Sequence, residues 1–238
     1  MSIYALGDLH LSLGEGIDKP MDIYGEQWVR HAERLKQNRL KEVKDQDTVI
    51  LAGDISWALK FIEAKADLDW LHNLPGRKVV IKGNHDLWWT GIQKMNAIYD
   101  DIIFLHNFCV LTEDVAICGS RGWICPGTDG FTDADNKIYQ RELLRITRSI
   151  EDAQSRGVKQ ILGVLHFPPT NDKLQPSGFT DLFSEAGVKT VVYGHLHGSE
   201  TYHKGLQGNF KGVEYKLVSL DYLKCKPFLL KKGGNSND

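Results

Sequence analysis

The sequence predicts an α/β protein with at least one mixed sheet. Short apolar runs alternate with longer amphipathic segments over the first two thirds of the chain, and strand-like runs dominate the last third. Alternation of this kind is typical of strands connected by helices. The 238 residues, of which 42% are hydrophobic and 25% charged, have an ordinary globular composition. We therefore expect one domain over residues 1–230 and a frayed tail over residues 231–238.

The strands are predicted where apolar runs are short. These runs lie at 3–6, 49–52, 79–81, 102–105, 115–118, 161–165, 191–193, 201–203 and 213–218. The helices are predicted from apolar residues spaced by about 3.6 positions. A helix over about 23–44 places four residues on one face: Tyr24, Trp28, His31 and Leu35. Two further helices have the faces Phe61, Ala64, Leu68 and Leu71, and Tyr139, Leu143, Ile146 and Ile150.

Charge and composition exclude several classes of protein. With 29 basic and 31 acidic residues the formal net charge is −2, which argues against a disordered chain, a fibre or a strongly basic nucleic-acid carrier. No apolar run approaches the roughly 18 residues of a membrane span, and the first residues lack a signal-peptide pattern. We expect a cytoplasmic protein without a membrane partner. Its four cysteines form no Cys-x-x-Cys pair and are expected to be reduced thiols: Cys109, Cys118, Cys125 and Cys225.

Polar residues follow five of the predicted strands directly. The segments are Gly7-Asp8-Leu9-His10, Gly53-Asp54, Gly83-Asn84-His85-Asp86, His166 and Gly194-His195-Leu196-His197. Any one of them alone is more typical of a turn, a helix cap or a packed histidine. Five together indicate a common site, because ligands bind at the carboxyl ends of strands in α/β sheets. Oxygen and imidazole ligands without thiolate suit Mn, Fe, Zn, Co or Ni.

The order of these five segments resembles that of the calcineurin-like metallophosphoesterases, over residues 7 to 197. The resemblance implies a four-layer α-β-β-α sandwich with two facing mixed sheets. It also implies hydrolysis of phosphate monoesters or diesters by a hydroxide that bridges two divalent ions. The family does not define the substrate. We expect a small phosphorylated molecule and favour a diester by a narrow margin.

The resemblance also implies a role for each site residue. The first ion would be held by Asp8, His10 and His197, and the second by Asn84, His166 and His195. Asp54 would bridge the two ions. His85 would be the catalytic residue that stabilises the transition state and protonates the leaving oxygen. Asp86 either orients His85 or caps a helix that begins near Leu87, and we favour the cap.

The surroundings of the predicted site leave alternatives open. Loops 14–30 and 120–136 are long enough to overhang the cleft and select a substrate. Arg121 in the second loop either contacts a substrate phosphate or serves as a structural ion pair. Four tryptophans are expected to wedge loops onto the core rather than to stack on a substrate: Trp57, Trp88, Trp89 and Trp123. Three arginines share a helical face that we predict to be solvated rather than to bind nucleic acid: Arg141, Arg145 and Arg148.

The sequence leaves two alternatives to a phosphoesterase of small molecules. A non-catalytic metal-binding scaffold of the same fold is disfavoured because all seven ligand positions and His85 are present. A nuclease would require a basic cleft or an additional domain, and the composition indicates neither. The other histidines are expected to have ordinary surface or packing roles: His31, His72, His106 and His203.

Overall fold

A computed structural model describes residues 1–233, and in that range the apolar runs form eleven strands. In chain order they are β1 (Ile3–Leu6), β2 (Thr48–Leu51), β3 (Arg77–Val80), β4 (Ile102–Phe104), β5 (Val110–Leu111), β6 (Val115–Gly119), β7 (Gln160–Val164), β8 (Thr190–Tyr193), β9 (Gly208–Phe210), β10 (Val213–Leu217) and β11 (Phe228–Lys231). The helices are α1 (His31–Glu42), α2 (Phe61–His72), α3 (Ile92–Met95), α4 (Asp133–Ser155) and α5 (Gly178–Glu185).

The strands form two mixed sheets. The first has the order β11-β1-β2-β3-β4, and the second β5-β6-β7-β8-β10-β9. The central strands of each sheet run parallel, and the antiparallel pairs lie at the edges. The carboxyl ends of the parallel strands in each sheet consequently lie along one edge, where a site can be assembled.

Alternate residues of the strands supply three separate buried layers. Ile50 and Val79 of the first sheet pack with Ile117 and Val164 of the second. The opposite face of the first sheet packs on α1 and α2, and the opposite face of the second packs on α4 and α5. Strand β2 is buried at every position because both of its faces are covered. This arrangement confirms the four-layer α-β-β-α sandwich with two facing mixed sheets.

The helix predicted over 23–44 is wrong in its first part. Residues Met21–Tyr24 and Glu26–Trp28 form two short 3₁₀ turns, and a regular helix begins only at His31. Gly25 has a φ of 121° and Arg30 a φ of 49°, and neither value is compatible with a right-handed helix. Tyr24 is therefore exposed and does not share a buried face with Trp28.

The strand predicted over 201–203 is also wrong. This segment closes a turn in which the Thr201 hydroxyl donates to the carbonyl of His197 at 2.6 Å, and a 3₁₀ helix follows at Tyr202–Lys204. The strand that pairs antiparallel with β10 is β9, which begins five residues after the predicted strand ends.

The predicted tail begins too early. Lys231 pairs with Ile3 as the last residue of β11, and the backbone N–H of Gly233 donates to the Ser2 hydroxyl at 3.0 Å. Residues 231–233 are thus held against the first strand, and residues 234–238 lie outside the described residues.

Two further observations concern the chain as a whole. The four cysteines are buried, and each carries a free thiol. Within residues 1–233 no helix is both long and apolar enough to cross a membrane.

Candidate metal centre

The carboxyl ends of five parallel strands bring the predicted ligands together. Asp8 and His10 follow β1, Asp54 follows β2 and Asn84 follows β3 in the first sheet. His166 follows β7, and both His195 and His197 follow β8 in the second sheet. The centre therefore lies at the edge where the two sheets meet, and each sheet contributes ligand-type side chains.

Four of these residues adopt an uncommon backbone conformation. The φ angles are 59° at Asp8, 45° at His10, 52° at Asp54 and 74° at His195. A side chain in this left-handed region costs free energy, of the order of 1 kcal/mol or more, and such residues concentrate at functional sites. The backbone turns hold them in place: the N–H of Asp8 donates to the carbonyl of Gly53 at 2.8 Å, and that of His10 to the carbonyl of Asp54 at 3.0 Å.

Two glycines are required because the carboxylates lie directly against the backbone. A β-carbon at Gly83 would lie 2.0 Å from Oδ1 of Asp54, and one at Gly194 would lie 2.2 Å from Oδ2 of Asp8. Both separations are far shorter than a van der Waals contact. Only glycine at these positions allows the two carboxylates their observed places.

We define the first ligand group as Asp8, His10 and His197. Nε2 of His10 lies 3.2 Å from Nε2 of His197, and Nε2 of His197 lies 3.6 Å from Oδ1 of Asp8. These nitrogen and oxygen atoms lie within 4.8 Å of one another. This spacing allows all three side chains to bind a single ion.

We define the second ligand group as Asn84, His166 and His195. Oδ1 of Asn84 lies 2.7 Å from Nε2 of His166 and 2.9 Å from Nδ1 of His195, and the two imidazole nitrogens are 3.3 Å apart. Nδ1 of His166 hydrogen-bonds with the carbonyl of Ala52 at 2.9 Å. Because that carbonyl can only accept, Nδ1 carries the proton and the Nε2 lone pair is available to a cation.

Asp54 lies between the two groups. Its Oδ2 is 3.8 Å from Nε2 of His10 and 3.5 Å from Nε2 of His166. Its other oxygen accepts the backbone N–H of His85 at 2.8 Å, which fixes the rotation of the carboxylate. A carboxylate in this position can contact an ion in either group.

The protonation chemistry of the centre fits divalent cations. Burial lowers the pKa of His166 to about 3 and that of His195 to about 2, and burial together with the charge of His197 lowers the pKa of His10. These imidazoles are therefore neutral near pH 7 and can act as ligands. Burial also raises the pKa values of Asp8 and Asp54, because the protein alone does not fully stabilise the negative charge of their ionised forms. A bound cation would supply that stabilisation.

Asp221 supports the first ligand group and is not among the residues predicted from the sequence. Its Oδ1 is 3.0 Å from Nδ1 of His197, and its Oδ2 accepts from Tyr202 and from the N–H of Gly198 at 2.9 Å. Burial opposes ionisation of both partners, but the hydrogen bond between them raises the pKa of His197 and lowers that of Asp221. Asp221 lies four residues after β10, at the same edge as the ligand-type side chains, so the pattern of polar residues after strands extends to it.

Asp86 has neither of the two roles that the sequence predicted. No helix begins at Leu87; the first helix after it is Ile92–Met95. The fully buried carboxylate accepts backbone N–H groups of Gly83 at 2.7 Å, Ile55 at 2.8 Å and Asp54 at 2.9 Å, and the indole N–H of Trp88 at 3.0 Å. It thereby ties the loop that carries Asp54 to the loop that carries Asn84.

His85 is exposed at the mouth of a cavity of about 690 Å³ that opens beside the first ligand group. Its ring lies 5.7 Å from that of His10 and 4.4 Å from that of Trp57, measured between centroids. We call this space the aromatic cavity, because its walls include Trp28, Trp57, Tyr24, Tyr202 and Tyr222. Loop 14–30 supplies part of the wall through Met21, Tyr24, Gln27 and Trp28.

Arg121 and loop 120–136 do not line the aromatic cavity. The Arg121 guanidinium lies over the ring of Trp123 at 4.5 Å and 3.6 Å from the buried carboxylate of Glu142. Arg141 and Arg145 line the same separate pocket as Arg121, whereas Arg148 is exposed outside it. Of the four tryptophans, Trp88 is buried in the core as a wedge, and Trp57 stacks on the ring of His10 at 4.8 Å.

Comparisons with known proteins agree with this architecture. A phosphopantetheinyl hydrolase of Mycobacterium tuberculosis has a similar structure, with a TM-score of 0.53 and 16% identity over 100% of this chain and 98% of that one. A protein of Thermus thermophilus gives a TM-score of 0.57 and 12% identity over 96% and 97% of the two chains. A protein of unknown function from Aquifex aeolicus gives a TM-score of 0.50 and 15% identity over 96% of this chain and 95% of that one.

These identities support a shared fold and no more, and no curated protein matches the sequence significantly. The family model of the calcineurin-like phosphoesterases, however, matches residues 1–199, which contain every ligand-type side chain of the two groups and Asp54. Because this match covers most of the chain, the protein belongs to the calcineurin-like phosphoesterase family.

Proposed function

We propose that the protein hydrolyses the phosphate ester of a small organic molecule with the help of two divalent ions. The ions would be held by Asp8, His10, Asp54, Asn84, His166, His195 and His197. The observation that carries this proposal is the position of Asp54, whose Oδ2 is within 3.8 Å of an imidazole nitrogen in each ligand group. A carboxylate shared in this way is what keeps two like-charged ions close together in two-metal hydrolases.

The donor set supports a transition metal over Mg²⁺ or Ca²⁺. Four imidazoles, two carboxylates and one amide suit Mn, Fe, Zn, Ni or Co, whereas Mg²⁺ and Ca²⁺ prefer oxygen ligands. When bound, such ions polarise a phosphoryl oxygen and activate a water molecule for attack. The residues of the chain supply orientation: Asp86 fixes the loops of Asp54 and Asn84, and Asp221 fixes the ring of His197.

His85 is the proposed proton donor to the leaving oxygen. It is exposed to the aromatic cavity and is held near the centre through its backbone N–H bond to Asp54. A substrate that binds in the cavity would place its leaving group beside this imidazole. Since no ion pair or hydrogen bond occupies the His85 ring within residues 1–233, the ring is available to the substrate.

The aromatic cavity supports a phosphate ester whose organic part carries a flat or apolar group. Trp57 and Tyr24 offer ring surfaces, and the volume of about 690 Å³ is that of a small-molecule site. A diester with one such substituent fits this arrangement, and we keep the narrow preference for a diester over a monoester.

The first test is metal content and hydrolysis by the purified full-length protein. We expect bound transition-metal ions and turnover of chromogenic phosphate esters, compared as monoesters and diesters with Mn, Ni, Fe and Zn. Asp54→Asn should lose metal and with it the stabilisation of the transition state. We expect the rate to fall by about a thousandfold or more, since each loss of about 1.4 kcal/mol of that stabilisation lowers the rate tenfold. Asp172→Asn, an exposed position, is the matched control. If the protein neither bound metal nor gained activity with any of the four metals, the proposal would be refuted.

The role of His85 has its own test. His85→Ala should keep the metal content and lose about a hundredfold or more in rate. The loss should be larger for an alkyl leaving group than for nitrophenol, because only the poorer leaving group needs a proton. The control is His203→Ala, which changes an exposed histidine far along the chain. An equal loss with both leaving groups would contradict proton donation.

A further inference from the structure

A second pocket, of about 260 Å³, lies at the ends of the strands away from the aromatic cavity. The two share no lining residue. We call it the basic pocket, since most of its charged side chains are cationic: Lys82, Arg121, Arg141 and Arg145, with Glu142 as the acid. Trp89, His106, Asn107 and Ser120 complete its polar and aromatic wall.

The positive charges of the basic pocket exceed its negative charge by three. Glu142 is fully buried and contacts Nη1 of Arg145 at 2.5 Å and Nη2 of Arg121 at 3.6 Å. Within residues 1–233 neither Lys82 nor Arg141 takes part in an ion pair. Nε of Arg121 is buried and lacks a hydrogen-bond acceptor in the same range. Such an arrangement favours an additional anion, because like charges repel and buried donors need partners.

The pKa of His106 responds first to burial and then to this unbalanced charge. Burial lowers its pKa, and the positive charges of Arg145 and Lys82 lower it further. The imidazole in the pocket wall is therefore neutral near pH 7, and one of its nitrogens remains a hydrogen-bond donor.

The basic pocket adjoins the second ligand group through the backbone. Lys82 precedes Asn84 by two residues and lies two residues after β3 ends at Val80. The carbonyl of Arg121 accepts the backbone N–H of His166 at 3.0 Å. The metal centre is thus flanked by the aromatic cavity beside its first group and by the basic pocket beside its second group.

We propose that the basic pocket binds a phosphate group. Guanidinium groups match the oxygens of phosphate in pairs, and an ammonium group adds a compact charge. The volume of about 260 Å³ suits a phosphate on a small molecule and is too small for a nucleic-acid strand. The group is either a second phosphate of the substrate or a free phosphate ion, and steady-state kinetics distinguish these two sources.

The binding experiment uses the full-length chain after dialysis against a chelator, titrated with inorganic phosphate in a calorimeter. We expect saturable binding with one phosphate per chain. The combined change Lys82→Gln and Arg141→Gln should weaken it by about tenfold or more, as expected for loss of charge-assisted hydrogen bonds. The matched control is Arg148→Gln, which removes the same charge from an exposed position of α4 outside the pocket.

Three outcomes would overturn the proposal: no saturable binding, unchanged binding in the double variant, or an equal loss in Arg148→Gln. Circular dichroism verifies that each variant folds, and Arg141→Gln alone replaces the double variant if that protein does not. This experiment requires neither metal nor turnover, so its failure is independent of the proposed phosphoesterase activity.

The source of the phosphate is tested by steady-state kinetics with metal-loaded protein, and this step rests on the proposed function. Two esters are compared, identical except that one carries a second phosphate. If the pocket holds that group, Lys82→Gln with Arg141→Gln raises KM for the bisphosphate alone by about tenfold or more. If the variant leaves both KM values unchanged while phosphate binding is lost, the pocket holds a free phosphate ion.

Discussion

The two ligand groups of the metal centre differ in how they are supported and in what they face. His197 of the first group is 29% exposed and hydrogen-bonds with the carboxylate of Asp221. His166 of the second group is fully buried and hydrogen-bonds with the neutral carbonyl of Ala52. The first group opens to the aromatic cavity, whereas no residue of the second group lines that cavity.

This difference gives the centre two unequal sides, although each ligand group consists of two imidazoles and one oxygen ligand. The carboxylate of Asp221 and the hydrogen bond it makes raise the pKa of His197 in spite of its burial, whereas burial dominates at His166 and lowers its pKa to about 3. A carboxylate partner makes an imidazole a more basic ligand than a carbonyl partner does. We therefore expect the two groups to hold their ions with different strength, and we expect substrate to approach from the side of the first group.

Among the changes that separate the two ligand groups, the largest effect is expected from breaking the second group alone. Asn84→Ala removes the oxygen that lies within 2.9 Å of both His166 and His195. The chain should then bind one ion instead of two, and the rate should fall by about a hundredfold or more, since one of two charge-stabilising ions is lost. Metal analysis by plasma mass spectrometry, together with kcat, measures both quantities.

The control for this change is Asn136→Ala, an exposed asparagine near the start of α4. It should keep the full metal content and the full rate. Loss of both ions from Asn84→Ala would show that the two groups do not bind independently, and retention of both would show that Asn84 is not a ligand.

A smaller effect is expected when the carboxylate that supports the first group is neutralised. Asp221→Asn keeps the size of the side chain but removes its charge, so that the ring of His197 becomes a weaker ligand. Metal affinity should fall by about 10-fold to 100-fold for one ion and stay unchanged for the other. Competition with a metal-chelating dye resolves the two affinities.

Asp181→Asn is the matched control, because it neutralises a half-exposed aspartate on α5 that pairs with Lys211. We expect no change in either metal affinity. If Asp221→Asn lowered the affinity for both ions equally, the distinction between the two ligand groups would be refuted.

The strand-end pattern predicted which side chains meet, because parallel topology brings the carboxyl ends of those strands together. The predicted runs 3–6, 49–52 and 191–193 agree closely with β1, β2 and β8, and the polar residues directly after them meet in space. Glycine before the polar residue was a sound signal as well, since a β-carbon at Gly83 or Gly194 would collide with a carboxylate. Local sequence was enough to predict these residues because each turn follows its strand immediately.

Features that depend on distant contacts were not predictable in the same way. β11 pairs with β1 across more than 200 residues of chain, so its last residues looked like a free end. The role of Asp86 in joining two loops has no local signal, because three of its hydrogen-bond donors, Asp54, Ile55 and Ser56, follow another strand. The helical spacing of Tyr24 and Trp28 was real, but the φ angles of Gly25 and Arg30 depend on how the segment packs.

The smallest expected effect concerns the aromatic cavity beside the first group. Tyr24 lies in the 3₁₀ turn Met21–Tyr24, is 62% exposed and contributes to the cavity wall. Tyr24→Ala should raise KM for a phosphate ester with an aromatic substituent by up to about tenfold, since a pair of rings contributes roughly 0.5–1.5 kcal/mol. KM for the corresponding methyl ester, as well as metal content, should stay unchanged.

Ile23→Ala is the matched control, because Ile23 is 71% exposed in the same turn and does not line the cavity. It separates the loss of a ring from a general loosening of the turn. An equal rise in KM for both esters in Tyr24→Ala would indicate that the turn, and not the ring, affects binding. A rise confined to the aromatic ester, with Ile23→Ala like the unaltered protein, would assign the organic part of the substrate to the side of the first ligand group.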